Sequence, residues 1–438
     1  MSYDLTRRLA VEGLLKVENS SFSNLVFSSI AQNHRMTDAQ SAFTAKLFYG
    51  TVERMITLNY ILSRFVSKPL KKLDREVLAI MQSGLYQILY MDSVPVFAAV
   101  NQAVSLCSYF KKTSAKGLVN AVLRKAANFN LKNAEFKNDR ERISVTYSVS
   151  GEIADILMRD YPDGCEDILA GMLNTPELVI VVNTVKISVE DYKKSLDEAE
   201  ISWERTPLDN CLKICFRGAV TALPGFAQGY FFVQGLASRY AVYSAKIEKG
   251  RHILDLCAAP GGKTFSAAID SQNTAQIISC DPNPSRLPLI EQGAARMGLD
   301  NIYTLENRGE VRRRCLGGQD VVLCDVPCSG IGIIAKKPDL RFKPLEKIRL
   351  LCRLQQEILQ TASGYLKPGG KLVYSTCTLN KMENERQIEK FLSANPEFRL
   401  SEQNCPLDGA VNCDNMITFL PSRANCDGFF VAVLEKMW

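Results

Sequence analysis

The sequence predicts a multidomain protein with an all-α N-terminal part, a small α+β intermediate module and an α/β C-terminal part built on a parallel sheet. Three observations carry this. The chain's 438 residues allow on the order of three domains at about 150 residues each. Up to about residue 128 apolar side chains recur at helical spacing, whereas beyond Gly250 short apolar runs alternate with helical stretches. Between these regions strand-like and helix-like patterns mix.

In the N-terminal part Val77, Ile80, Met81, Gly84, Leu85, Ile88 and Leu89 fall on one helix face. Leu47, Val52, Ile56, Ile61 and Phe65 continue a less regular pattern upstream, and Pro69 and Pro95 stand between segments as breakers. Lys111, Lys112, Lys116, Arg124 and Lys125 form a basic run that suits either a solvated face or contact with phosphates. Residues 128–142 are polar, without apolar periodicity, and read as a linker. Further on, 178–182 reads as a buried strand, 189–199 as a helix and 212–216 as an alternating strand. The predicted boundaries are 1–130, 143–234 and 235–438. In the last of these, 252–257, 276–280, 321–324 and 371–374 are the expected strands, and ligands should sit beyond their carboxyl ends.

Composition narrows the classes. With 46% hydrophobic and 23% charged residues the chain is neither disordered nor unusually polar. No apolar run approaches the roughly 20 residues of a membrane span, and the opening residues 1–8 have no signal-peptide pattern. The expected location is the cytoplasm, with no membrane partner. The net charge of +6, from 53 Lys+Arg against 47 Asp+Glu, permits a polyanionic partner without demanding one. There are fourteen cysteines but only two histidines, His34 and His252, and no Cys-x-x-Cys. Free thiols in a reducing compartment are expected, and no metal site. Cys107, Cys211, Cys215 and Cys352 are expected to be small core fillers.

The run Cys257-Ala258-Ala259-Pro260-Gly261-Gly262-Lys263-Thr264 follows one expected strand and opens a helix. Its small residues let backbone pass close to a ligand, and the helix N-terminus offers free N–H groups. The nearest nucleotide motif is the P-loop, but the place of its first glycine is taken by Cys257, which weakens the case for ATP. Asp281 ends the next strand about twenty residues on, where dinucleotide folds hold a ribose diol. Since G-x-G-x-x-G is absent, the pair of features indicates an adenosine-bearing cofactor that is not a dinucleotide.

Two more strand ends carry chemistry. Asp325-Val326-Pro327-Cys328 follows one, and Ser375-Thr376-Cys377 follows another. An acid and two thiols beside an adenosine pocket suit methylation at carbon 5 of cytosine. That carbon is not nucleophilic while the ring is aromatic, and addition of a thiolate at carbon 6 makes it so. An acid near ring nitrogen 3 offsets the charge that develops there.

These residues resemble the RsmB (Sun/Fmu) family of RNA cytosine carbon-5 methyltransferases. The likeness rests on 257–263, 325–330, Tyr374-Ser375-Thr376-Cys377 and the tail Asp427-Gly428-Phe429-Phe430, in that order. The resemblance implies a NusB-like N-terminal RNA-binding domain and a Rossmann-like class I methyltransferase domain. It implies S-adenosylmethionine held by residues 257–263 and Asp281, with Asp325 orienting the cytosine. It makes Cys377 the nucleophile and Cys328 the group that helps release product, while Lys263 positions the cofactor loop and the nearby acid. Small-subunit ribosomal RNA is the implied substrate, and the chain is expected to act as a monomer. Four positions depart from the family pattern. Asn307 or Arg308 stands where a cofactor acid is usual, Val181 replaces an arginine, Gly235 an acid, and Ala335 begins what is usually an arginine pair. The departures at Asn307 and Ala335 motivate a contrasting reading, a non-catalytic RNA-binding factor with a decayed methyltransferase domain.

Overall fold

The computed structural model describes residues 4–18, 22–216, 218–424 and 426–438, so residues 1–3 of the leader reading lie outside the described residues. The chain forms two compact units, Met1–Pro162 with Ile334–Pro344, and Asp163–Ile333 with Leu345–Trp438.

The first unit is helical. Its helices run Leu5–Glu18, Ser23–Asn33, Asp38–Glu53, Met55–Ser63, Arg75–Tyr90, Val96–Tyr109 and Lys116–Ala126, followed by Asp139–Tyr147 and Gly151–Asp160. The periodic face of Arg75–Tyr90 buries Val77, Ile80, Met81 and Leu85 in a core shared with Leu9, Leu14, Phe48, Leu58, Val100 and Leu123. Gly84 allows close packing there: a Cβ would lie 2.8 Å from Leu123 Cδ1. Pro69 and Pro95 both fall between helices. The basic run is divided: Lys112 pairs with Asp74 at 2.9 Å and with Glu76 at 3.5 Å, while Lys111, Arg124 and Lys125 are exposed. The polar stretch 128–142 is less of a linker than its composition suggests. The Asn138 side chain accepts from Glu141 N–H and starts the helix Asp139–Tyr147, so polarity here belongs partly to a cap.

The second unit opens with the helix Cys165–Gly171 and a small antiparallel sheet. Its strands are β1 (Leu178–Val182), β2 (Trp203–Arg205), β3 (Cys211–Ile214) and β4 (Phe231–Val233), in the order β2-β3-β1-β4. Helix Val189–Glu198 covers one face, its N-cap Ser188 accepting from Asp191 N–H. Strand β1 is apolar throughout because both faces are covered. Ile180 and Val182 meet Tyr192 and Leu196 of that helix, and Val179 and Val181 meet Phe232 and Leu236 on the other side. One expectation needs correcting: Cys215 is exposed, not a core filler. It lies just past β3 on the outward phase of the alternation, next after half-exposed Lys213. Cys107 and Cys211 are buried, and Cys352 is half-buried.

The large sheet contains β5 (His252–Asp255), β6 (Gln276–Asp281), β7 (Ile302–Glu306), β8 (Gln319–Asp325), β9 (Leu366–Thr376), β10 (Phe398–Leu400), β11 (Ala410–Cys413), β12 (Met416–Phe419) and β13 (Phe429–Lys436). Its order is β11-β12-β13-β9-β8-β5-β6-β7, with β10 paired to β13. Strands β7, β6, β5, β8 and β9 are parallel, and β13 joins β9 antiparallel. Alternate residues feed two cores. Ile253, Val321, Leu323 and Val373 enter one, and Leu254, Val322, Cys324, Leu372 and Tyr374 the other. This is why the parallel strands read as unbroken apolar runs. The chain winds outward in opposite directions from β5 and β8, and the crevice beyond their carboxyl ends is where such sheets hold ligands. Among the described residues no helix is long and apolar enough to cross a membrane, and no group of three or more potential ligands could hold a metal ion.

Candidate active site

The glycine turn joins β5 to the helix Gly262–Asp270. Gly261 takes φ 112°, a conformation L side chains rarely adopt, and a Cβ there would come within 2.4 Å of the Phe265 ring. Beneath the turn, Thr264 Oγ1 donates to Asp255 at 2.8 Å and lies 2.9 Å from Ser279 Oγ. Asp255 is fully buried, and desolvation pushes its carboxyl up to about 6. Burial likewise raises the Cys257 thiol well above its ordinary value, so Cys257 is a neutral wall of the turn. Asp281, nearly fully buried at the end of β6, accepts from Asn283 N–H at 2.9 Å and pairs with Arg286 at 3.1 Å. Arg286 also donates to the Ala259 carbonyl, tying the acid to the turn. Asn307 follows β7, is 2% exposed, donates from Nδ2 to Arg308 O at 3.0 Å, and leaves Oδ1 buried with no hydrogen-bond partner. Its backbone N–H reaches Asp281 O at 3.3 Å.

Lys263, on the first turn of the helix, is nearly buried and pairs with Asp325 at 2.7 Å. It also donates to Ser238 Oγ at 3.0 Å, with its ammonium 5.2 Å from the centre of the Phe429 ring. Asp325 ends β8 opposite Ser375 of β9, whose hydroxyl donates to it at 2.8 Å. The acid is therefore held from two sides while its own side chain stays about one-third exposed.

Three residues beyond Asp325 stands Cys328, and two beyond Ser375 stands Cys377. Their sulfurs are 3.3 Å apart and both residues are half-buried. The Cys328 thiol is pushed well above its ordinary value, first by the hydrogen bond with Cys377 and then by burial. Cys328 therefore keeps its proton, with the Cys377 sulfur within hydrogen-bonding reach of it. Ser329 lies 2.7 Å from Thr378 Oγ1 and donates to Glu383 through both its N–H, at 2.9 Å, and its hydroxyl, at 2.6 Å.

The catalytic and cofactor residues expected from the sequence thus lie at the carboxyl edge of the parallel strands, in two groups. Lys263, Asp325, Cys328 and Cys377 gather at β8 and β9. Residues 257–262, Asp281 and Asn307 gather at β5, β6 and β7. Of the departures, Val181 is buried in the small sheet, Gly235 is the N-cap of helix Leu236–Tyr243, and Ala335 belongs to the helical unit. Sequence reasoning missed Ser238, Arg286, Gln355 and Glu383, and named Ser375 only as part of the Cys377 motif. Its role could have been found, since Ser375 lies opposite Asp325 across β8 and β9. Glu383 lies in a polar stretch that reads as surface, and no local signal marks it as buried.

A parallel sheet with an acid-closed glycine turn and a carboxylate–lysine pair defines a Rossmann-like methyltransferase. It is similar along its whole length to a solved structure described as PH0851, at TM-score 0.85 and 26% identity with both chains fully covered. It is also similar to a methyltransferase homolog protein from Pyrococcus horikoshii, at TM-score 0.62 and 25% identity, covering 69% of this chain and all of that one. Family models match in three consecutive pieces: the NusB family over residues 4–128, a Methyltr_RsmF/B-like ferredoxin-like domain over 153–221, and 16S rRNA methyltransferase RsmB/F over 242–435. A probable ribosomal RNA small subunit methyltransferase B of Synechocystis is 33% identical over 95% of this chain and 96% of its own. The ribosomal RNA small subunit methyltransferase B of Salmonella arizonae is 30% identical over 98% of both. The chain belongs to the ribosomal RNA small subunit methyltransferase B family, as the motif resemblance implied, and its NusB-like and Rossmann-like parts agree with that expectation.

Proposed function

We propose that the protein methylates carbon 5 of a cytosine in small-subunit ribosomal RNA, acting as a cytoplasmic monomer through a covalent Cys377–cytosine adduct. The observation that carries this reading is the meeting of two half-buried sulfurs at 3.3 Å beside the Lys263–Asp325 pair. A structural cysteine pair has no need of a neighbouring charged pair at a ligand-binding strand edge.

The residues present suit S-adenosylmethionine. Buried Asn307 Oδ1 lacks a donor, and adenosine carries hydroxyl and amine donors that would complete it. Asp281 offers a carboxylate for the ribose, and residues 257–263 a small-residue cradle at a helix N-terminus. A structure described as NSun6 from Pyrococcus horikoshii with SFG has the same fold, at TM-score 0.60 and 22% identity. When bound, the donor supplies an electrophilic methyl carbon on a sulfonium.

The chain's own residues do the rest. The Cys377 thiolate bonds to carbon 6, and the ring electrons move toward carbon 5 and nitrogen 3. Asp325 gives a proton to that nitrogen as the charge develops, and Lys263 and Ser375 stabilise the carboxylate left behind; the proton returns to Asp325 when the ring is restored. Carbon 5 then takes the methyl group and, for an instant, carries both methyl and hydrogen. Cys328, its own thiol proton passed to water, takes the carbon 5 proton, the carbon 6–sulfur bond breaks with its electrons returning to Cys377, and the ring double bond returns. Timing follows from the thiol pair. The largest influence keeping Cys328 protonated is its hydrogen bond to Cys377, and that influence vanishes once Cys377 sulfur is bonded to carbon. Cys328 therefore gives up its proton more readily once the adduct exists. The target base lies in single-stranded RNA or is flipped out at a cost of a few kcal/mol.

Incubating the protein with small-subunit RNA and labelled donor tests this. Cys377→Ala should lose at least about 100-fold in rate, and Cys328→Ala should accumulate a protein–RNA adduct stable to denaturing gels. Full activity in Cys377→Ala sinks the assignment.

A further inference from the structure

Cys328 sits in a loop after β8, yet the peptide units on both sides of it are fixed. On its N-terminal side, Gln355 Nε2 donates to Pro327 O at 2.8 Å. On its C-terminal side, Ser329 N–H donates to Glu383 Oε1 at 2.9 Å. The same Gln355 amide reaches Glu383 Oε1 at 3.1 Å, closing a ring around the cysteine. The other carboxylate oxygen, Oε2, accepts from Ser329 Oγ at 2.6 Å and Asn380 Nδ2 at 3.0 Å. Four donors thus fill the four lone-pair positions a carboxylate offers.

The network also reaches the Cys377 loop, and its direction can be read. Ser329 has one hydroxyl proton and gives it to Glu383, so in the 2.7 Å contact Thr378 Oγ1 must donate to Ser329 Oγ. Thr378 Oγ1 in turn accepts from Asn380 N–H at 3.3 Å. Every proton in the chain points toward Glu383. Thr378 follows Cys377 as Ser329 follows Cys328, so one carboxylate aligns the residues next to both sulfurs. Glu383 is itself inaccessible, and Tyr374 Oη donates to its carbonyl at 2.7 Å from a fully buried position. A buried glutamate filled by four donors, none of them a cation, is costly unless something requires its place.

We infer that Glu383 is a positioning residue that sets the Cys328 sulfur against Cys377 and the modified base, and so governs release of the product. The inference rests on the covalent reading above, with Cys328 as the releasing base. It makes a kinetic distinction. A residue that only supports the fold would, when changed, weaken donor binding and both chemical stages together. A residue that aims Cys328 slows release more than adduct formation.

The test uses the full chain with transcribed small-subunit RNA and tritiated S-adenosylmethionine. Compared are wild type, Cys328→Ala, Glu383→Gln and Ser329→Ala. Glutamine keeps the size of Glu383 but turns one acceptor into a donor that faces other donors. Glu383→Gln should lower kcat about 10- to 100-fold with the KM for donor and for RNA changed less than about threefold, and it should accumulate the same denaturation-stable adduct as Cys328→Ala. Ser329→Ala, which keeps the backbone hydrogen bond, should show less adduct than Glu383→Gln but more than wild type. Wild-type turnover in Glu383→Gln, or lower turnover without adduct while Cys328→Ala shows it, overturns the inference and leaves the covalent reading standing. Absence of adduct in Cys328→Ala overturns both. If Glu383→Gln does not fold, absence of adduct in Ser329→Ala overturns the inference alone.

Discussion

Asp255 shows how one buried acid makes stability depend on pH. Its folded carboxyl holds a proton up to about 6, whereas an unfolded aspartate releases it near 3.9. Between these values the folded chain binds more protons, so stability falls as pH rises through roughly 4 to 6, and the whole penalty is present at pH 7. Asp255→Asn removes the titration while keeping an oxygen for Thr264 Oγ1. The variant's gain in unfolding free energy over wild type should be about 1–2 kcal/mol greater at pH 8 than at pH 4.5. Denaturant titrations at the two pH values check this, and an equal gain at both would show that Asp255 is ionised in the folded protein. The sequence places Asp255 within the expected strand 252–257 ahead of the glycine turn, but its raised carboxyl depends on burial that pattern does not reveal.

At the scale of elements, the catalytic loops are held by close backbone approach as well as by side chains. Gly332 N–H donates to Cys377 O at 3.0 Å, and Gly428 N–H donates to Gly332 O at 2.8 Å. A Cβ on Gly332 would lie 1.9 Å from Gly428 O and 2.9 Å from Cys377 O, both backbone atoms that cannot swing aside. Gly332→Ala should therefore push the lead-in to β13 away from the Cys377 loop, costing about 1–3 kcal/mol of stability and about 100-fold in kcat. A folded variant with wild-type kcat would show that the loop does not need this approach. The glycine turn and both cysteine motifs were legible because each follows a buried strand and uses small or reactive residues. What closes the site was legible only in part. Phe429 stood in the tail motif, but its place beside Lys263 and the antiparallel pairing of β13 with β9 did not show, and β10, β11 and β12 are short and carry no chemistry-bearing motif. Their place in the sheet is decided by pairing with distant strands, and pairing partners leave no local signature. Cys215 failed for a related reason, since its exposure depends on which face of β3 is covered.

At the scale of the whole molecule, chain order and compact units do not coincide. The segment Ile334–Pro344 belongs to the helical unit although it follows the Cys328 loop in sequence. Its anchors are buried and polar. Asp339 accepts from Ser23 Oγ at 2.5 Å and pairs with Lys343 at 2.9 Å. Arg341 is fully buried, donates to Tyr147 O at 3.0 Å, and offers its carbonyl to Ser150 N–H at 2.7 Å; burial pulls its guanidinium down to about 10. Without this segment buried Ser23 loses the Asp339 carboxylate to which its hydroxyl donates, at a cost of about 1–3 kcal/mol. The N-terminal region matches the NusB family over residues 4–128 yet is tied here to residues about two hundred positions further on. A chain of residues 1–162 alone should be less stable than its helical content suggests, and adding a peptide of residues 334–344 should raise its unfolding temperature in proportion to the logarithm of peptide concentration. The same peptide with Asp339→Ala and Arg341→Ala should not. Equal melting of the fragment with either peptide or with none would mean that the segment follows the helices without holding them.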